Sequence, residues 1–269
     1  MPHADDNGLR IHYVDTDPSG APGGTALVLI HGFPLNGRLW RAQQEALGDR
    51  HRILLPDLIG FGGSDAPEDP SSYSMERFAS NVLAVMDHAG VERAAVGGLS
   101  MGGYVALELW RRARDRISAL ILADTRAEAD DEGARAKRTE QQERLRRDER
   151  DALIEDLLRA LLAPATHERK PDVVDETRSL MDNPAAGWIG ALEAMKTRLD
   201  STADLTSIDV PTLIVVGEHD ALTPPAVARS LHERIPGSQL VVVPDAGHFS
   251  CLESPAVFSG ALADFLASA

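Results

Sequence analysis

Short apolar runs alternate along this chain with longer amphipathic stretches. An unbroken run of about four to eight apolar residues is typical of a strand buried on both faces of a parallel sheet. Runs of this kind lie at 26–30, 52–57, 94–97, 119–124, 212–217 and 239–244. Residues 9–16 alternate between apolar and polar side chains, which predicts one further, half-exposed strand. The glycine- and proline-rich residues 17–24 predict a turn.

Helical patterns occupy the stretches between these strands. They lie at 76–89, 101–113, 227–235 and 256–267. The last two begin within two residues of a proline, a residue that suits the first turn of a helix. Strands that alternate with helices predict an α/β fold with a mostly parallel sheet.

The alternation stops between Asp124 and Val210, where no buried-strand pattern occurs. Residues 126–151 carry eight basic and nine acidic side chains, which predicts a solvated helix. Its expected ion pairs, four residues apart, are Asp131–Arg135, Glu140–Arg144 and Glu143–Arg147. Residues 153–162 form an amphipathic stripe. We therefore predict a helical cap at 126–200, inserted in a core made of 1–125 and 201–269.

Composition excludes several classes of protein. The 269 residues are 43% hydrophobic and 26% charged, as in an ordinary globular domain. A net charge of −15 disfavours binding to nucleic acid or to an anionic membrane surface. The single cysteine, Cys251, allows no intramolecular disulfide. Because the N-terminus lacks a leader pattern and no apolar run reaches about 18 residues, we expect a cytoplasmic protein.

The strongest chemical signal is the motif Gly98-Leu99-Ser100-Met101-Gly102-Gly103, which follows a predicted strand and opens a predicted helix. This is the context of the G-x-S-x-G nucleophile elbow, a sharp turn that presents its serine above the sheet edge. The backbone N–H of Met101 lies at the positive end of the helix, where it can stabilise an oxyanion. The motif therefore predicts Ser100 as a nucleophile.

Three further motifs complete a resemblance that spans nearly the whole chain. They are His31-Gly32-Phe33-Pro34, the segment from Gly217 to Pro224, and Asp245-Ala246-Gly247-His248-Phe249. With them the chain resembles the α/β-hydrolase superfamily, and within it the bacterial 3-oxoadipate enol-lactonases and small carboxylesterases. The resemblance implies a central sheet flanked by helices and a helical cap inserted after the sixth strand. The order Ser100, Asp220, His248 is the family's order.

The resemblance also implies a role for each motif. His248 is expected to act as general base for Ser100, and Asp220 to orient its imidazole. Phe33 is expected to give the second oxyanion N–H, often beside a cis bond to Pro34. Asp124, at the end of another strand, is the alternative acid because some members of the superfamily use that position.

Four other residues near these motifs are expected to have roles outside the catalytic chemistry. His31 and Asp57 are expected to brace loops, His219 to lie at the surface or behind the site, and Cys251 to serve packing alone.

The residues that line the substrate pocket are harder to predict. The candidates are Leu35, Arg126, Leu157, Leu161, Trp188, Leu192 and Met195, and Trp40 could also reach the pocket. Arg126 would suit a carboxylate-bearing substrate, as the lactonase resemblance implies. Its alternative role is a solvated charge on the cap. The alternative for Trp188 is a place in the core of the cap.

These observations predict a serine hydrolase that cleaves a small carboxylic ester or lactone through an acyl-serine intermediate. No cofactor and no metal is expected, because the metal-binding spacings H-E-x-x-H and C-x-x-C are absent from the sequence. Serine at the elbow argues against an epoxide hydrolase or a haloalkane dehalogenase, which carry aspartate there. The partner is a small molecule rather than nucleic acid or membrane, and a homodimer is left open. The alternatives are a carbon–carbon bond hydrolase, a cofactor-free perhydrolase and a ligand-sensing protein with slow turnover.

Overall fold

A computed structural model describes residues 2–16 and 26–268, and the turn predicted at 17–24 lies outside them. The strands are β1 (His3–Asp6), β2 (Leu9–Asp15), β3 (Ala26–Ile30), β4 (Ile53–Pro56), β5 (Ala94–Leu99), β6 (Ile117–Ala123), β7 (Thr212–Gly217) and β8 (Gln239–Val243). In this part of the chain they form one sheet in the order β1-β2-β4-β3-β5-β6-β7-β8.

Strands β3 to β8 run parallel, and β1 and β2 are antiparallel at one edge. All seven predicted strands are present, and the prediction of a mostly parallel sheet is confirmed. Strands β4, β5 and β7 are buried along their whole length, which explains why they are continuously apolar.

The register of the sheet brings the functional motifs together. Ile30 pairs with Gly98, Leu99 with Ala123, and Gly217 with Val243. The carboxyl ends of β3, β5, β6, β7 and β8 therefore lie along one edge. The loops that follow these strands carry the motifs singled out from the sequence. Open parallel sheets generally place their sites along this edge.

Strand β1 is not predicted from the sequence. It forms a hairpin with β2 through Asn7 and Gly8, whose φ angles are 54° and 85°. Asn-Gly is a strong signal for such a turn. The hydrophobic pattern does not reveal this four-residue strand because its inward-facing residue Asp6 is charged rather than apolar. Asp6 is buried and accepts hydrogen bonds from Ser80 and Asn81.

The helices are α1 (Arg41–Leu47), α2 (Met75–His88), α3 (Met101–Ala113), α4 (Glu132–Arg146), α5 (Arg150–Leu161), α6 (Pro164–Arg169), α7 (Pro171–Leu180), α8 (Ala185–Lys196), α9 (Pro225–Arg234), α10 (Ser250–Glu253) and α11 (Pro255–Ser268). Short 3-10 turns lie at Gly37–Trp40, Pro70–Ser72, Arg114–Arg116 and Leu205–Ser207. Helix α2 packs on α3, and α1 packs on α11. Among the described helices, none combines the length and the apolar composition needed to cross a membrane.

Five of these helices, α4 to α8, lie between β6 and β7. The amphipathic stripe forms α5, which buries Leu153, Ile154, Leu158 and Leu161. The charged stretch forms α4, which begins one residue after Asp131, and the Asp131 carboxylate caps its N-terminus.

The three ion pairs expected within the charged stretch do not occur among the described residues. Because α4 ends at Arg146 and the chain turns into α5, Arg144 pairs instead with Glu149 and Asp156. Asp131, expected to pair with Arg135, serves as the helix cap.

Candidate active site

Ser100 occupies the turn between β5 and α3. Its φ of 54° and ψ of −111° are sparsely populated for a residue with a side chain. The turn is held by hydrogen bonds from the Ser100 amide to the Ala123 carbonyl at 2.9 Å and from the Thr125 hydroxyl to the Ser100 carbonyl at 2.8 Å. A Cβ atom at Gly98 would lie 2.0 Å from the Gly102 carbonyl oxygen, so the turn requires glycine there.

His248 connects Ser100 to Asp220. Its Nε2 atom lies 2.8 Å from the Ser100 Oγ atom, and its Nδ1 atom lies 2.8 Å from the Asp220 Oδ2 atom. Because a carboxylate can only accept, Nδ1 carries a proton and Nε2 is free to accept the serine hydroxyl proton. The His248 side chain is buried, with 1% of its surface exposed. The three residues form one continuous hydrogen-bonded chain.

Asp220 is ionised in this environment. Burial raises its pKa, but the charge of His248 and hydrogen bonds from His248 and Thr223 outweigh burial and lower the pKa to about 2. Its Oδ1 atom accepts the backbone amides of Leu222 and Thr223 at 2.8 and 2.9 Å. The turn after β7 therefore supplies donors that keep the carboxylate charged and pointed at His248.

Asp124, the alternative acid, lies at the same sheet edge but does not contact His248. It is fully buried and accepts hydrogen bonds from the Gly217 amide and the Ser250 hydroxyl. Burial and the nearby charge of Asp220 raise its pKa well above the ordinary range, which favours the protonated form. The structure brings Asp220, rather than Asp124, to the imidazole.

The loop after β3 runs beside Ser100. A Cβ atom at Gly32 would lie 3.4 Å from the Ser100 Cβ atom, which shows how closely the two segments approach. Phe33 follows on the wall of the cavity described below, and its bond to Pro34 is cis. Met101 is the first residue of α3, where backbone N–H groups have no acceptor inside the helix. Phe33 and Met101, the two predicted oxyanion donors, therefore lie in segments next to Ser100.

His31 and Asp57 hold loops near this site. The Nε2 atom of His31 accepts the Leu58 amide, and its Nδ1–H donates to the Gly32 carbonyl, both at 3.1 Å. Burial lowers the pKa of His31, which favours the neutral ring that this bonding needs. Asp57 accepts hydrogen bonds from His12, Gly37 and Gly63.

A cavity of about 480 Å3 opens onto Ser100 and His248. Four of the residues predicted to line it lie on its wall, namely Arg126, Leu157, Leu161 and Met195. Sequence reasoning missed other wall residues, among them Tyr104, Asp130, Lys137, Arg138, Gln141 and Arg159. Residues 134, 137, 138 and 141 share one helical face. Their spacing of three and four residues is the sequence signal that could have placed them together on the wall.

Four predicted contacts lie elsewhere. Trp188 and Leu192 are fully buried in α8, and the Trp188 ring packs edge-on against Phe33 with centroids 5.2 Å apart. Trp188 therefore supports the wall from behind. Leu35 is buried below the loop, and Trp40 packs against Phe258.

The cavity wall is rich in positive charge although the chain is acidic. Arg138 pairs with Asp130, Arg159 lies 2.5 Å from Asp156, and Arg126 donates to the Leu222 carbonyl. Lys137 is exposed and has neither an ion pair nor a hydrogen bond with any described residue. Lys137 is therefore a cation on this wall that forms no ion pair within residues 2–16 and 26–268.

Two other groups near the site have no part in it. Cys251 is fully buried, and burial raises the pKa of its thiol well above the ordinary value, so it is a poor nucleophile. The exposed side chains of Glu218, His219 and Asp245 bring potential metal-ligand atoms within 4.8 Å of one another, the one such group in the described ranges. None of the three lies on the cavity wall.

Comparison with known proteins agrees with this architecture. The family model described as the alpha/beta hydrolase fold matches residues 25–255. A curated relative, 3-oxoadipate enol-lactonase 2 of Acinetobacter baylyi, is 26% identical over 88% of this chain and 86% of its own.

Two solved structures are similar over nearly their whole length. A thermophilic esterase from Thermogutta terrifontis, with malate bound, is 34% identical, covers 99% of this chain and 98% of its own, and has a TM-score of 0.91. The enol-lactonase from Burkholderia xenovorans is 30% identical over 99% of this chain and 100% of its own, with a TM-score of 0.90. The chain therefore belongs to the alpha/beta hydrolase fold family.

Proposed function

We propose that this protein is a serine hydrolase that cleaves a small carboxylic ester or lactone through an acyl-Ser100 intermediate. The observation that carries the proposal is the hydrogen-bonded chain from Ser100 through His248 to Asp220, which ends at the cavity. An esterase and an enol-lactonase among the similar structures support the same reaction class.

The reaction begins when the Ser100 Oγ atom attacks the carbonyl carbon while His248 Nε2 takes the hydroxyl proton. Asp220 stabilises the resulting imidazolium. The N–H groups of Phe33 and Met101 stabilise the oxyanion of the tetrahedral intermediate. This intermediate collapses as the ester C–O bond breaks, and His248 returns its proton to the departing alkoxide.

Water completes the cycle. His248 takes a proton from a water molecule as the water oxygen attacks the acyl carbon. The bond between the acyl carbon and Ser100 Oγ then breaks, His248 returns the proton to Ser100, and the carboxylic acid leaves. With a lactone, the alcohol released in the first step stays attached to the acyl chain. No oxidant, reductant or cofactor enters either step.

We propose that residues 126–200 form a cap over a core made of 1–125 and 201–269. Helices α4, α5 and α8 contribute Lys137, Leu157 and Met195 to the wall of the cavity that Ser100, at the sheet edge, also lines. Such a cover excludes bulk water, which strengthens the hydrogen bonds that stabilise the oxyanion.

The wall favours a substrate with a negative charge at the end remote from the reacting carbonyl. Lys137 supplies a positive charge that has no ion-pair partner in the described part of the chain, and Arg126 lies on the same wall. The similar esterase that holds malate, a dicarboxylate, is consistent with this preference. The cavity volume of about 480 Å3 suits a small acyl group.

Turnover of p-nitrophenyl esters of increasing chain length, measured beside a set of γ-lactones, tests the proposal. The wild type should hydrolyse members of at least one series, and the Ser100→Ala variant should hydrolyse none. Equal turnover by both proteins would overturn it. Absent turnover combined with fluorophosphonate labelling of Ser100 would instead favour the ligand-sensing alternative.

A further inference from the structure

A buried carboxylate that the mechanism does not use lies next to the His248 loop. Glu253 is 1% exposed, and each of its carboxylate oxygens accepts two hydrogen bonds. Oε1 accepts the amides of Gly247 at 3.0 Å and Phe249 at 3.2 Å. Oε2 accepts the amide of Ala163 and the hydroxyl of Thr166, both at 2.7 Å.

These four donors come from two separate segments. Gly247 and Phe249 flank His248, so one oxygen holds the backbone on both sides of that residue. Ala163 and Thr166 belong to the junction between α5 and α6, so the other oxygen holds the helical segment above the sheet. The His248 amide also donates to the Leu161 carbonyl at 2.7 Å, which ties the same loop to the same junction.

The His248 loop packs tightly against the junction between α5 and α6. A Cβ atom at Gly247 would lie 2.6 Å from both the Ala163 nitrogen and the Leu161 oxygen. The loop and the junction therefore pack backbone against backbone. A small displacement of either one would break hydrogen bonds on both.

We propose that Glu253 is a positioning residue that fixes the His248 loop against the junction at residues 161–166. The inference rests on the proposed function, because it gives the position of His248 a catalytic purpose. The imidazole must hold two hydrogen bonds at once, to Ser100 and to Asp220, each at 2.8 Å. A shift of about 1 Å in such a group can cost about 100-fold in rate.

A carboxylate suits this place for a physical reason. Burying a charge is costly unless hydrogen bonds satisfy it, and here both oxygens are satisfied. A glutamine has the same shape, but its amide nitrogen cannot accept a hydrogen bond. Whichever way the amide is turned, at least one buried N–H of the loop or the junction loses its acceptor. The arrangement also makes residues 161–166 a fixed anchor, so any opening of the cap must move other parts of it.

The test compares Glu253→Gln with Glu108→Gln on the same ester. Glu108 is also buried, at 4% exposure, and pairs with Arg111 and Arg112 on α3. Both variants should lower the melting temperature. Glu253→Gln should lower kcat by up to about 100-fold, the size that a displacement of about 1 Å can cost, with KM changed by less than about threefold. Glu108→Gln should leave kcat unchanged.

A spectroscopic measurement separates this inference from the proposed function. The Nδ1 proton that His248 shares with Asp220 gives a downfield proton resonance, which should move or broaden in Glu253→Gln but not in Glu108→Gln. If the wild type turns over no ester, the proposed function fails, and the resonance still tests the position of His248. A Glu253→Gln variant with wild-type kcat and an unmoved resonance overturns the inference.

A milder variant covers the case in which Glu253→Gln does not fold. Thr166→Val removes only one of the four donors and keeps the side-chain shape. It should lower kcat with little change in KM and shift the same resonance. Unchanged kcat together with an unshifted resonance in Thr166→Val would overturn the inference.

Discussion

The Nδ1 atom of His248 lies 2.8 Å from the Oδ2 atom of Asp220. Asp124 ends the neighbouring strand and is equally buried, yet its hydrogen bonds go to Gly217 and Ser250. Two carboxylates thus lie at the same sheet edge, and their hydrogen-bond partners differ. The Asp220 carboxylate orients the imidazole, and the Asp124 carboxyl group binds Gly217 and Ser250.

This difference predicts an order of effects on activity. Asp220→Asn should lower kcat by about 10,000-fold, the size found when the acid of a serine triad is replaced by its amide. Asp124→Asn should cost less than about tenfold, because an amide can still accept from Gly217 and donate to Ser250. Steady-state kinetics on one ester, with melting temperatures as the folding control, make the comparison. A larger loss in Asp124→Asn would contradict the assignment.

Asp124 should also make stability depend on pH. Burial, with the charge of Asp220, raises its folded pKa, whereas the unfolded value is about 3.9. Its contribution is therefore fully present below about pH 3.9 and is lost as pH rises through the raised folded pKa. Asp124→Asn removes this loss, so the variant should gain stability relative to wild type between pH 4 and 8. Each unit of pKa shift contributes up to about 1.4 kcal/mol. Urea unfolding across that range measures it, and a constant difference would show that Asp124 does not titrate as described.

Substitution by alanine should change the stability of the protein in opposite directions at two glycines. In Gly98→Ala the new Cβ would meet the Gly102 carbonyl oxygen at 2.0 Å, so the Ser100 turn must distort. We expect a loss of stability of about 1–3 kcal/mol, together with loss of activity. Gly260 lies within α11 with nothing within 4 Å of its Cβ position, so Gly260→Ala should stabilise by about 0.5–1 kcal/mol. Urea unfolding measures both, and a wild-type result for Gly98→Ala would refute the steric argument.

Lys137 should favour negatively charged substrates over neutral ones. Lys137→Met should lower kcat/KM about twofold to fivefold for an ester with a terminal carboxylate, since an exposed pair contributes up to about 1 kcal/mol. A neutral ester of the same length should be unaffected, and added salt should reduce the difference. Arg135→Met, on the same helix but off the cavity wall, is the matched control. Equal effects of Lys137→Met on both esters would rule out charge recognition.

Much of the fold could be predicted from the sequence because strands β3 to β7 are short, apolar and almost wholly buried, although the edge strand β8 is partly exposed. The approach of Ser100, Asp220 and His248 was equally predictable. Each of the three follows a strand, and the carboxyl ends of parallel strands meet at one edge. The family resemblance favoured Asp220 as the acid, and Asp124 stayed as the alternative because both residues satisfy that rule. Only the direction in which each carboxylate points separates them.

The cavity wall was less predictable because it depends on how the helices pack. Leu157, Leu161 and Met195 reach the cavity, whereas Trp188 lies behind Phe33. Periodicity identifies the buried face of a helix but does not tell which buried residues border a cavity. The role of Glu253 could not be predicted for a related reason, since its four partners come from two segments that are more than 80 residues apart in the chain.

The most direct test of the central claim is to locate the covalent adduct that a fluorophosphonate forms with the protein. Peptide mapping by mass spectrometry should find one labelled residue, Ser100, and the Ser100→Ala variant should take up no label. Replacement of His248 by alanine should slow labelling strongly, because the serine would lose its general base. An adduct on another residue, or continued labelling of Ser100→Ala, would contradict the account.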